Sequence, residues 1–453
     1  MNIALAHFRV GETDGVSLEM EKWKIVLEKL GHRVYFIAGS KGESDAYVID
    51  ELHYLHPENN RFVENCYGKL TDYSTEKEVK EDILNFAERI ENKLIKAIHD
   101  LELDMIIPNN IWSLGWGLPA GIAFTKALQR TGIKAVAHHH DFHWERDKYE
   151  NPVCSFVPEW LNTYFPPDLP EITHAVINRI AQDELMKRRG ITSKVVPNVF
   201  DFSEEPWSKD DYNADFKKKA GLKEQDVLVL QATRIAERKA IELGIDVVAE
   251  MQSEENLKKL STDGLYDGRS FTEDSEIVYV LAGLEEASEE YITKLKEKAE
   301  RKNVKLKFIN HLIESQRTKS NGTKMYSLWD AYVHADVITY PSILEGWGNQ
   351  LLEGIYAKKP MVIYEYPVYV TDLKQAEFQF ATLGNTHEWN EDKLVNVEDH
   401  KVESAAKELV KTLTDPDYRE RVVTHNFETG KKLYSYEALK EAVERVLSLS
   451  VKG

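Results

Sequence analysis

Two glutamates with two glycines between them stand in the string SILEGWGNQLLEGIYAKKP, residues 342–360. Gly346 and Gly348 let the backbone come close to a ligand. A helix opening near Asn349 would aim free N–H groups and its positive dipole end at that ligand, which makes an anion cradle. Glu345 stays on the loop, whereas Glu353 sits about one turn into the helix. Two carboxylates at two depths can read hydroxyls on two separate rings. The plainer alternative is a surface helix carrying ordinary solvated acids. Within the helix, Leu351, Leu352, Ile355 and Tyr356 form an apolar face, Lys358 and Lys359 suit the C-terminal dipole, and Pro360 ends it.

A second candidate group is AVAHHHDFHWERDKY, where His138, His139, His140 and His143 follow an apolar strand. Zinc is one reading of such a cluster. A strand, however, sends alternate side chains to opposite faces, so only some of these rings can meet, and no metal site is expected. Core histidines are the other alternative. Asp415-Pro416-Asp417 is the only Asp-x-Asp string, and it reads as an N-terminal helix cap rather than a metal ligand pair.

These groups need elements to hold them. Residues 3–7, 33–38, 105–108, 134–138 and 173–177 read as strands, separated by helical patterns over 16–30 and 76–101. The pattern restarts with strands at 227–232, 277–283, 304–309, 337–340 and 360–364, and with helices at 291–302 and 349–357. This predicts an α/β protein with two doubly wound Rossmann-like domains facing an interdomain cleft, with sites at the carboxyl ends of the strands. The expected divisions are 1–205, 206–430 and a terminal segment 431–453 that packs back towards the first domain. Residues 252–276 lack a clear period and read as a surface insertion in the second domain.

Bulk properties narrow the function. A chain of 453 residues exceeds one ordinary core. The formal charge of −19 argues against a broad nucleic-acid surface, and the first two hundred residues show no strongly basic face for a membrane. The uncharged run 105–125 is long enough to span a bilayer, but Pro108, Gly115, Gly117 and Pro119 interrupt it, so strand, loop and buried helix are expected and no transmembrane segment. Two lone cysteines, Cys66 and Cys154, and an apolar first strand in place of a signal peptide point to the cytoplasm.

The string ADVITYPSILEGWGNQLLEGIYAKKPMVIYEY resembles the donor-binding region of glycosyltransferase family 4, retaining enzymes of the GT-B fold. DGVSLEMEKWKIVLEKLGHRVYFIAG resembles that family's first glycine loop and helix, and ATRIAERKAIELGIDVV its phosphate-binding strand, loop and helix. The resemblance implies a hexosyltransferase acting on a nucleoside-diphosphate sugar donor. Glu345 then contacts the transferred sugar, Gly346, Trp347, Gly348 and Asn349 lie beside sugar and phosphates, and Glu353 holds the ribose. Arg234 and Lys239 fall on the family's basic pair, which grips the diphosphate and does the work of a metal; no cofactor and no metal are expected. The family places one histidine beside the donor sugar, which makes His139 the first choice and His140 the second. Gly15 is expected to open the first helix to an anion, and Gly283, Asn310 and His311 to line the nucleotide base. Trp347 is the tryptophan expected to stack on a sugar.

Some members of the family glycosylate small polar acceptors, including glycerate-linked and sucrose-like solutes, and such an acceptor fits the acidic first domain. Polysaccharide or lipid-linked acceptors, a nucleotide-sugar epimerase of the same fold and a non-catalytic sugar-nucleotide sensor are the alternatives. No carboxylate in the first domain has the context of a covalent nucleophile, which favours front-face displacement with retention.

Overall fold

The computed structural model describes residues 1–12, 14–320 and 322–452. The chain divides into two compact units, residues 1–199 with 436–453, and residues 200–435.

In the first unit, β1 (Asn2–Arg9), β2 (Arg33–Ser40), β3 (Tyr47–Val48), β4 (Met105–Pro108), β5 (Lys134–His139), β6 (Ile172–Val176) and β7 (Ser193–Val195) form one parallel sheet in the order β3-β2-β1-β4-β5-β6-β7. Alternation along β1 assigns its residues to two cores. Ala4 and Ala6 join the residues of α2 (Glu76–Asp100) and α3 (Leu118–Thr131), while Ile3 and Leu5 join Met20, Trp23, Val26 and Leu27 of α1 (Gly15–Lys29). The closing helix, Tyr436–Lys452, seals the second of these cores with Leu439, Val443, Val446 and Leu447, a helical spacing that puts all four on one face. The uncharged run 105–125 becomes β4, a loop and the buried start of α3. No helix among the described residues is long and apolar enough to cross a membrane.

In the second unit, β8 (Val227–Gln231), β9 (Ile277–Leu281), β10 (Lys305–Phe308), β14 (Val337–Tyr340), β15 (Met361–Ile363) and β16 (Ala381–Thr382) form a parallel sheet in the order β10-β9-β8-β14-β15-β16. A small sheet of β11 (Ile313–Glu314), β12 (Thr318–Ser320) and β13 (Thr323–Ser327) is inserted after β10. Residues 252–276, expected as a surface insertion without a clear period, are partly helical. They contain a helix, Glu254–Asp263, that packs on the helix Asp399–Thr414 and buries only Asn256 and Leu260, too few apolar points to show a period. Asp415 caps the helix Pro416–Tyr434, its side chain accepting from the Tyr418 N–H at 2.8 Å.

In each sheet the chain winds outward one way and then the other, reversing between β1 and β4 and between β8 and β14. In open α/β sheets, ligands bind at the carboxyl ends of the strands beside such a reversal.

Candidate active site

At the reversal in the second unit, the turn after β8 meets the turn after β14. The Arg238 carbonyl accepts from the Ile343 N–H at 3.0 Å, and its guanidinium donates to the Leu344 carbonyl at 3.1 Å and to Glu345 Oε2 at 3.0 Å. The Lys239 ammonium donates to Glu345 Oε1. Both charges of this inner pair are withdrawn from water, with the Lys239 side chain 4% exposed and that of Glu345 9%. Burial pushes the Lys239 pKa below its ordinary value, and the Glu345 carboxylate works against that shift. Ala240, which closes the turn, has φ +45°, a left-handed conformation that costs a non-glycine residue about 1 kcal/mol.

The basic pair expected from the sequence is therefore split in its contacts. Lys239 holds Glu345, and its partner there is Arg238. Arg234 instead points at Glu286, with Nη1 2.7 Å from Oε1, and both side chains are about half exposed. Arg238 stands beside Lys239 in the string ERK, which was the available signal for it. Nothing in sequence spacing pointed to Glu286.

Gly348 precedes α4 (Asn349–Tyr356) with φ +127°. A Cβ there would lie 2.2 Å from the Tyr366 hydroxyl, which donates to the Trp347 carbonyl at 2.7 Å. The tight turn thus needs glycine for its dihedral angle and for the close phenol, and it leaves Gly346 exposed and Asn349 half-buried. Trp347 does not present a face to a sugar. It is 4% exposed and packs edge-on against Tyr434, which corrects the stacking role expected of it. On α4, Glu353 Oε2 accepts from the Tyr332 hydroxyl at 2.9 Å. Burial first, and then the Glu353 charge, push the Tyr332 phenol well above its ordinary value, so it stays a donor.

Gly283 follows β9. A Cβ on it would fall 1.9 Å from the Thr233 carbonyl oxygen and 2.8 Å from the Arg234 Cα. The glycine thus lets the turn carrying Arg234 lie directly on the turn after β9, where the Ile235 N–H donates to the Leu284 carbonyl at 2.8 Å. We expect Gly283→Ala to destabilise the protein by about 3 kcal/mol, because backbone rather than a flexible side chain must yield. A fall in melting temperature would show it. Asn310 Nδ2 donates to Glu285 Oε1 at 3.4 Å, and His311 is exposed in the short turn Asn310–Leu312.

In the first unit, Gly15 does not open α1 to an external anion. The Asp14 carboxylate already caps that end, Oδ1 accepting from the Val16 and Ser17 N–H groups at 3.2 Å, and Arg9 pairs with Oδ2 at 3.2 Å. Thr13 of this loop lies outside the described residues.

The histidines after β5 separate by burial. His139 is 1% exposed, and both its ring nitrogens are engaged, Nδ1 with the Ser113 hydroxyl at 2.6 Å and Nε2 with His174 Nδ1 at 3.0 Å. A ring occupied on both sides has nothing to offer a ligand, so the preference expected for His139 passes to His140. His140 is partly exposed. Its N–H donates to Asn110 Oδ1 at 2.8 Å, and its Nε2 lies 3.3 Å from Asn109 Oδ1. Asn109 Oδ1 also meets His138 Nδ1 at 2.9 Å, and Asn110 Nδ2 donates to Asp141 Oδ1 at 2.7 Å. Burial pushes the pKa of His139 and His140 well below the ordinary imidazole value, so both rings are neutral near pH 7. Among the described residues, no group of three or more His, Cys, Asp or Glu side chains is arranged to hold a metal ion.

Comparison with known proteins gives a consistent result. The family model described as glycosyl transferases group 1 matches residues 213–429. Mannosylglucosylglycerate synthase of Petrotoga mobilis is 41% identical over 96% of this chain and 98% of its own length. The protein of the same name from Thermotoga maritima is 42% identical over 98% and 99%. Among solved structures, sucrose-phosphate synthase from Thermosynechococcus elongatus aligns over 99% of this chain and 98% of its own, with TM-score 0.58 and 13% identity. A glycosyltransferase from Rickettsia africae aligns over the same shares with TM-score 0.59 and 14% identity. At those identities the structures speak to the fold alone.

Proposed function

The chain belongs to the group 1 glycosyltransferases, glycosyltransferase family 4, with the GT-B fold, and from that premise we propose a retaining, metal-independent hexosyltransferase that acts on a small glycerate-type acceptor. The near full-length similarity to two mannosylglucosylglycerate synthases carries the acceptor assignment. The name of those two relatives joins mannose, glucose and glycerate. The proposed reaction accordingly moves a mannosyl group from a nucleoside-diphosphate sugar to a hydroxyl of glucosylglycerate. The second unit is assigned the donor and the first the acceptor, and the reaction is assigned to the cytoplasm.

Each donor-side residue has a physical task in this reading. Lys239 and Arg234 neutralise the diphosphate as its charge grows on departure, which supplies electrostatically what a divalent cation supplies elsewhere. Glu345 accepts hydrogen bonds from hydroxyls of the transferred sugar. Arg238 positions Glu345 and the loop before Gly346, whose backbone, with that of Gly348 and Asn349, lies along sugar and phosphate. Glu353, oriented by Tyr332, accepts from the ribose hydroxyls. Gly283, Asn310 and His311 border the base. His140, neutral and fixed by Asn109 and Asn110, hydrogen-bonds the sugar and steadies positive charge at the anomeric carbon. A phosphate oxygen of the leaving group takes the acceptor's proton on the face that the group departs from, so configuration is kept.

The test is a screen of GDP-, UDP- and ADP-sugars against glucosylglycerate, glycerate, sucrose-type sugars and buffer alone, read as released nucleotide and product mass. We expect product only with a glycerate-type acceptor, an unchanged anomeric configuration by NMR, and full activity in EDTA. Turnover that requires added magnesium, or an inverted product, would remove the corresponding part of the proposal.

A further inference from the structure

Arg234 is held by a carboxylate that has no task in the proposed reaction. The turn after β9 reads Gly283-Leu284-Glu285-Glu286 and is followed by Glu289 and Glu290 at the start of the helix Glu289–Arg301, an acidic run beside the place assigned to a polyanion. Two backbone contacts register this turn against the one carrying Arg234. The Ile235 N–H donates to the Leu284 carbonyl at 2.8 Å, and the Glu286 N–H donates to the Ile235 carbonyl at 3.0 Å. Glu285 turns aside to Asn310. Glu286 is left aimed at the guanidinium, with one contact of 2.7 Å, and the side chains of Arg234 and Glu286 are 53% and 44% exposed. A single exposed contact of this kind holds weakly and can be exchanged. The buried pair of Lys239 and Glu345 differs, because Glu345 has the sugar to receive it.

We propose that Glu286 sets donor and product affinity, its carboxylate competing with the diphosphate for Arg234 and reclaiming the guanidinium as the nucleoside diphosphate departs. The inference rests on the assignment of Arg234 to the diphosphate. A diphosphate brings charge-assisted hydrogen bonds to the same fork of N–H groups, so the two anions exclude one another there. The carboxylate costs affinity and in return speeds release, a step that limits turnover in many transferring enzymes.

The experiment is calorimetric titration of the full-length protein with GDP, UDP and ADP separately. We expect Glu286→Gln to tighten the best-bound nucleotide by about three- to ten-fold, the scale of removing one competing charge at an exposed site. Arg234→Gln should weaken it at least about ten-fold. The double variant Arg234→Gln with Glu286→Gln should match Arg234→Gln, because competition needs its object. Glu289→Gln, which removes an equal charge that does not touch Arg234, should stay within about two-fold of the parent protein. Unchanged or weaker binding by Glu286→Gln overturns the proposal, and so does a gain that survives in the Arg234→Gln background, since that gain would come from long-range charge alone. If Arg234→Gln itself binds as the parent does, the diphosphate assignment fails, and the competition falls with it.

Discussion

Glu345→Gln is expected to lower kcat/KM by about 10²- to 10³-fold, the scale seen when one group that stabilises a transition state electrostatically is removed. The amide keeps the volume and can still accept one hydrogen bond, but it gives up the charge that, in the proposed reaction, strengthens the hydrogen bonds from the hydroxyls of the transferred sugar. The substitution also acts on the protein without substrate. Lys239 is 4% exposed and would lose its ionic partner, so a loss of about 1–3 kcal/mol in stability is expected with it. The two effects separate in the measurement. Nucleoside diphosphate affinity should be kept or improved, because Glu345 no longer shares Lys239, while turnover collapses. A variant that folds, binds nucleotide and turns over within about five-fold of the parent protein would take Glu345 out of the reaction centre.

How far the sequence led depends on the distance over which each feature is decided. Parallel strands with buried faces announce themselves locally, and the helix Asn349–Tyr356 declares its apolar face within eight residues. The placement of Glu345 on a loop and Glu353 on a helix was legible for the same reason, since glycine, loop and helix start all fall in one string. Contacts between distant turns were not legible. Arg238 finds Glu345 across 107 residues, and only the closeness of the turns after β8 and β14 makes it a partner. Trp347 looked like a platform for a sugar because it sits inside the motif, but Tyr434 and the turn at Gly348 fold it inward. His139 and His140 are equivalent as letters, and strand alternation says only that they face opposite ways. Ser113 and His174, which belong to other elements, decide which face is closed. Gly15 was misread because its neighbour Asp14 supplies the anion from within the chain.

That same histidine cluster predicts a steep loss of stability in acid. Burial lowers the pKa of His138 to about 3 and of His174 to about 4, and it lowers those of His7, His139 and His140 as well. A histidine whose folded pKa lies below its unfolded value near 6.5 is protonated first in the unfolded chain. Each such group therefore withdraws stability as the pH falls below about 6.5, down to its folded pKa. The rate is about 1.4 kcal/mol per pH unit, so His138 and His174 alone remove about 2 kcal/mol each by pH 5. Against the usual marginal stability of about 5–15 kcal/mol this is a large share. Buried Glu19 has a raised pKa and works in the opposite sense: it takes up its proton in the folded chain first, between that raised pKa and the unfolded value near 4.5, and so offsets part of the loss. Urea midpoints at pH 7 and pH 5 should therefore differ strongly, with the first transition assigned to the unit holding residues 1–199. His174→Gln should make the fall shallower by about one proton, because one neutral ring no longer has to resist charging. Stability that stays level from pH 7 to pH 5, or histidine resonances that titrate near 6.5 in the folded protein, would mean that these rings are not held neutral. The role given to His140 as a neutral hydrogen-bonding group would then fail with them.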